Sequence, residues 1–139
     1  MNIRIMTPED YDQVYDLWSK TPGMCLRGYD DSREGITKFI LKNPYSNFVA
    51  EKDGSIIGAI LSSNDGRRGY IYHATVRSDF RKQGIGKKLL GKVYDEWKKE
   101  GIAKAGLLVL KDNKTGNEFW ISRQWQERTE LNYYSKDIE

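Results

Sequence analysis

The hexapeptide Arg81-Lys82-Gln83-Gly84-Ile85-Gly86 stands between two segments of different periodicity, and this placement constrains the chain more than any other feature. Before it, Tyr70-Ile71-Tyr72-His73-Ala74-Thr75-Val76 reads as a strand. After it, Ile85, Leu89, Val93, Tyr94 and Trp97 recur at one-turn spacing, the apolar stripe of an amphipathic helix, with charged residues around the rest. Glu100-Gly101 ends that helix, glycine being suited to the left-handed position beyond a helix C-terminus. A glycine turn in this setting aims partnerless N–H groups, and the positive end of the helix dipole, at one place. Gly84 and Gly86 leave those groups approachable. Arg77, Arg81, Lys82, Lys87 and Lys88 add positive charge against the single acid Asp79. The stretch is expected to cradle phosphate, and best a diphosphate, because several adjacent N–H groups converge.

Two common cradles do not fit. A Walker A loop requires glycine where Arg81 stands and a hydroxyl where Lys88 stands. A dinucleotide fingerprint requires a third small residue where Leu89 stands. The pattern that remains, [Arg/Gln]-x-x-Gly-x-[Gly/Ala], resembles the acetyl-coenzyme A signature of the GNAT family of N-acetyltransferases. In that family the turn holds the pyrophosphate of coenzyme A. Alone, the hexapeptide also fits a basic helix start with a solvated lysine face; its surroundings carry the resemblance.

Those surroundings are of one domain's length. The chain has 139 residues, four Trp, nine Tyr and 31% charged residues, the profile of a folded protein. A net charge of +3 is too small to imply nucleic-acid binding, and none is expected. Cys25 is the only cysteine, which excludes an internal disulfide and a thiolate metal cluster, and no metal is expected. No stretch approaches the ~20 apolar residues of a membrane helix, and Met1–Met6 is too short and mixed for a signal peptide. A cytoplasmic location with no membrane partner is expected.

Read in order, 2–6 is a short strand. Thr7-Pro8-Glu9-Asp10 starts a helix, with Tyr11, Val14, Tyr15 and Trp18 on one face and Thr21-Pro22-Gly23 at its end. The connection 24–31 precedes a second helix capped within Asp30-Asp31-Ser32, with Ile36, Phe39 and Ile40 inward. Two readings of 24–31 stand side by side: a buried loop with capping acids, or an acceptor wall of Arg27, Tyr29, Asp30 and Asp31 that attracts a cationic amine. Strands at 47–51 and 55–61 flank the hairpin signal Asp53-Gly54, the second apolar enough to be buried on both faces. A second turn at 64–69 leads into the strand 70–76. Beyond the main helix, 104–110 is a strand parallel to 70–76 by its crossover, 113–123 a short helix, and 125–135 a final strand.

This order is similar to that of the GNAT fold over nearly the whole chain. The resemblance implies an α+β, three-layer αβα domain spanning 1–139, with a mixed central sheet of about six strands in the order β-α-α-β-β-β-α-β-α-β. It implies an N-acetyltransferase that moves an acetyl group from acetyl-coenzyme A to a primary amine, small molecule or peptide, by direct attack in a ternary complex. The cofactor would lie against Thr75, Val76, Arg81, Lys82, Gln83, Gly84, Ile85, Gly86 and Lys87, with Asn113 and Trp120 beyond. Relatives end in a two-strand hairpin. One strand fewer here leaves an edge that is exposed or covered by a second subunit, and so motivates a homodimer. The usual acids and bases are missing: Tyr70 and Leu108 stand where relatives carry Glu, and Trp120 where many carry Tyr. A non-catalytic coenzyme A sensor is the rival that these gaps raise. Substitutes are Tyr70, His73 and Tyr133; for His73 the favoured reading is a packed strand residue with one hydrogen bond.

Overall fold

Asp53 and Gly54 both take positive φ, 52° and 81°, the two-residue hairpin geometry that an Asp-Gly pair predicts. They join β2 (Phe48–Lys52) to β3 (Ser55–Asn64), and β3 turns through 65–68 into β4 (Gly69–Val76). The computed structural model describes residues 1–138, and the chain divides into two compact units, Met1–Leu108 and Val109–Glu139. The first unit holds one sheet in the order β1-β2-β3-β4-β5, β1 being Asn2–Ile5 and β5 Ala105–Leu107. Pairing is antiparallel from β1 to β4 and parallel between β4 and β5, which α3 (Ile85–Lys99) connects. The α+β class and its mixed sheet are as expected, with five strands among the described residues.

Alternation along β3 assigns its two faces. Ala59 and Leu61 join Val14, Leu17 and Trp18 of α1 (Tyr11–Ser19) and Ile36 and Ile40 of α2 (Arg33–Lys42) in one core. The Cβ direction of Gly58 points instead at Leu89 and Ile85 of α3. The strand is thus buried on both faces, between two helices and one, as its unbroken apolar run requires. The stripe of α3 is buried at Ile85, Leu89, Val93 and Trp97, joined by Leu90, while Tyr94 is half-buried. Ser32 caps α2 by accepting from Gly35 N, and Gly35 lets the chain close tightly before it: a Cβ there would lie 2.1 Å from Tyr29 O.

The N-terminal entry is tied by Arg4. Its guanidinium makes two 2.8 Å bonds to Asp10, in the 3₁₀ turn that precedes α1, and reaches Glu51 of β2. Burial pushes the Asp10 carboxyl up, but hydrogen bonds from Arg4 and Thr7 N outweigh it and hold the group below the usual range. A folded-state value below the unfolded one gives stability that is complete above pH ~4 and lost as pH falls through the folded value. Asp10→Asn is expected to cost about 1.5 kcal/mol at pH 7, Arg4 being partly solvated. Denaturant melts should show that difference shrinking toward zero below pH ~4; a constant difference would refute the assignment.

The second unit contains α4 (Lys114–Ser122), capped by Asn113, whose Oδ1 accepts from Gly116 N at 3.0 Å. Two expectations need correction. The strand at 104–110 is only Ala105–Leu107, and the helix expected at 113–123 is Lys114–Ser122 with Asn113 as its cap. Residues 125–135 form no strand: Leu131, Tyr133 and Tyr134 are 64, 68 and 86% exposed. Rough alternation does not make a strand without a partner ladder to satisfy its backbone.

Candidate functional site

The cradle is built where β4 hands over to α3. Arg77 N donates to Ile57 O at 2.8 Å, a short 3₁₀ turn spans Ser78–Phe80, and Arg81 Nε donates to Val76 O at 3.2 Å. Lys82 (φ 62°) and Gly84 (φ 80°) are left-handed on either side of Gln83, which is not. Alternating hand of this kind turns successive N–H groups into one concavity, an anion nest. The first bond across the start of α3 runs from Lys88 N to Gly84 O. Ile85, Gly86 and Lys87 therefore present N–H groups without helical acceptors, at the positive end of the dipole. The first turn of α3 carries no acid. Arg77 is engaged elsewhere, bonded to Asp79 and stacked 4.7 Å over Phe80. Among the described residues no carboxylate is paired with Arg81, Lys82, Lys87 or Lys88.

A second feature adjoins the cradle. β4 pairs with β5 only at Gly69, Tyr70 and Ile71, while its pairing with β3 continues to Val76. Among the described residues, the edge away from β3 between Tyr72 and Val76 thus has no ladder. Thr75 lies in that stretch, 4% exposed, its hydroxyl without a hydrogen-bond partner among the described residues. A bare strand edge leading into an anion nest fits a diphosphate that continues into a linear arm of amides, which pairs with an edge as an added strand does.

The third feature is a histidine–carboxylate pair. The β3–β4 register slips between Leu61/His73 and Ser62/Ile71, leaving Tyr72 as the extra residue of a bulge. Beyond it the His73 ring meets Trp18 edge-on at 4.8 Å, and its Nε2 lies 2.8 Å from Asp31 Oδ1. Asp31 also accepts from Arg27 N at 2.6 Å, and Tyr11 donates to Asp31 O. Both side chains are largely buried, 13 and 8% exposed. Burial raises the Asp31 carboxyl, but the bonds from His73 and Arg27 N prevail and hold it below the usual range. An ionised carboxylate only accepts, so the His73 proton sits on Nε2 and Nδ1 is the basic nitrogen of the neutral ring. Among the described residues Nδ1 has no protein hydrogen bond.

The expected acceptor wall therefore divides. Both Asp31 oxygens have partners within the protein, His73 Nε2 and Arg27 N. Arg27, Tyr29 and Asp30 remain exposed. Tyr70 is half-buried and stacks 4.7 Å from Tyr72. In the second unit Trp120 packs edge-on against Phe119 and Trp125, and Tyr133 lies outside any regular element. The Asp31–His73 pair and the bulge at Tyr72 escaped the sequence reading. The pair joins residues 42 apart through tertiary contact, and a bulge has no signature in an unbroken apolar strand.

Comparison with known proteins places this geometry. Residues 11–122 match the model described as the acetyltransferase (GNAT) family. An acetyltransferase of Pectobacterium atrosepticum is 33% identical over 113 residues, 81% of this chain and 79% of that one. Ard1 from Thermoplasma volcanium has the same fold, with a TM-score of 0.78 at 22% identity over 88% of this chain and 80% of that one. The PaiA N-acetyltransferase of Thermoplasma acidophilum, solved in complex with coenzyme A, gives 0.76 at 20% identity over 88% and 87%. Among the described residues, no helix is long and apolar enough to cross a membrane. With the signature at 81–86, this fold and these relatives, the chain belongs to the GNAT acetyltransferase family and is an acetyl-coenzyme A-dependent acyltransferase.

Proposed function

We propose that the chain acetylates a primary amine by direct attack in a ternary complex, with His73 as the base. The observation that carries this reading is the Asp31–His73 pair at the point where the β4–β5 ladder ends. Acetyl-coenzyme A supplies an activated acyl thioester; the remaining work falls to the chain. Arg81 and the N–H groups of Gln83 to Lys87 hold the diphosphate, and the β4 edge through Thr75 and Val76 receives the arm. A backbone N–H near Thr75 or Val76 is the oxyanion donor. The acceptor arrives as an ammonium and must lose a proton before its nitrogen can attack. His73 Nδ1 takes that proton, directly or through a bound water, while Asp31 holds the tautomer and balances the imidazolium; the nitrogen then bonds to the acetyl carbon, the C–S bond breaks, and the departing coenzyme A thiolate would recover a proton from the imidazolium or from water. No nucleophile of the protein takes part.

Initial rates measured against both substrates test the order of events. Direct transfer gives double-reciprocal lines that intersect. Parallel lines, or a trapped acetyl-enzyme, would overturn it.

A further inference from the structure

A groove of about 710 Å³ opens on the face of the sheet that carries α2, at the start of β4. Three aromatic side chains line it: Phe39 of α2 meets Tyr72 edge-on at 5.4 Å, and Tyr70 lies 4.7 Å from Tyr72. Its rim is basic. Lys42 and Arg68 line it, and among the described residues neither forms an ion pair. The one carboxylate in its lining, Asp65, is turned to its own loop, where Oδ1 accepts from Arg67 N and Arg68 N at 2.8 Å each. The groove also adjoins the chemistry: Tyr70 and Tyr72 flank Ile71, where the ladder to β5 ends, and His73 follows.

We propose that this groove selects the acceptor, and that the acceptor is an amine which also carries a carboxylate, an amino acid or the like. The inference rests on the acetyltransferase reading and narrows its substrate. An ammonium is attracted to aromatic faces, so Tyr70 and Tyr72 suit the amine end. Two cations without carboxylate partners suit an anion at the other end, arginine by a forked contact and lysine as a point charge. A polyamine or an aminoglycoside would instead bring its remaining positive charges against Lys42 and Arg68, where like charges repel. This is the reverse of the cationic acceptor that Asp30 and Asp31 suggested, because the Asp31 carboxylate is already engaged.

The test is a pair of ligands that differ by the carboxylate alone. L-phenylalanine and 2-phenylethylamine are titrated calorimetrically into coenzyme A-loaded protein, with spermidine as a third arm. The first should bind roughly tenfold or more tightly than the second, as one charge-assisted contact at a partly solvated site allows. Lys42→Glu and Arg68→Glu, both at exposed positions, should abolish that preference and leave coenzyme A binding unchanged. Equal or tighter binding of phenylethylamine or spermidine, no binding of either phenyl ligand, or a preference that survives both substitutions would overturn the proposal. Coenzyme A binding in the same samples reports separately on the enzymatic reading, which fails if the cofactor does not bind.

Discussion

His73→Gln should lower kcat for amine acetylation by about 10²- to 10³-fold, the contribution of a positioned general base, with little change in KM for acetyl-coenzyme A. Glutamine can still donate a hydrogen bond to Asp31 Oδ1, so the turn at 27–31 keeps its anchor, but an amide has no basic nitrogen. The substitution thus separates proton transfer from packing. Alanine would not: it would leave Asp31 buried with an oxygen unpartnered and open a gap beside Trp18. Asp31→Asn should keep the contact but favour the wrong tautomer, which places the proton on Nδ1 and removes the base, so a loss at least as large, up to about 10⁴-fold, is expected. A glutamine variant within threefold of the parent kcat would return His73 to the role of a packed strand residue.

The second large effect is at Gly84. A side chain there meets no atom within 4 Å, so space does not demand glycine; the left-handed backbone does. Gly84→Val forces a β-branched residue to φ near +80° or moves the turn, at a cost of at least ~1–2 kcal/mol. If the backbone gives way, the alternation of hand through Lys82, Gln83 and Gly84 is lost, and with it the convergence of N–H groups. The KM for acetyl-coenzyme A should rise by about 10- to 100-fold, the equivalent of one or two charge-assisted hydrogen bonds. The kcat at saturation should hold, because the diphosphate is bound alike in ground and transition states. Thermal melts should show a fall of only a few degrees. A variant with unchanged KM for the cofactor would mean that the nest does not hold the diphosphate.

The cradle, the order of elements and both faces of the central strand were legible in the sequence because each rests on local chemistry. Gly84 is required by the φ of its own residue, the α3 stripe by one-turn spacing, and the burial of β3 by an apolar run with no polar face. Asp53-Gly54 named its hairpin for the same reason. The tail from 125 onward was misread because alternation is also local, yet a strand exists only where a second strand satisfies its backbone. The Asp31–His73 pair was decided by tertiary structure alone. Asp31 lies in the turn before α2 and His73 lies on β4; only the packing of α1 and α2 against the sheet brings them to 2.8 Å. Local rules made Asp31 a helix cap or an acceptor acid, and His73 a strand residue. The bond between them helps hold the Asp31 carboxyl below the usual range against its burial, sets the proton of His73, and rests on a contact between distant segments that neither segment encodes by itself.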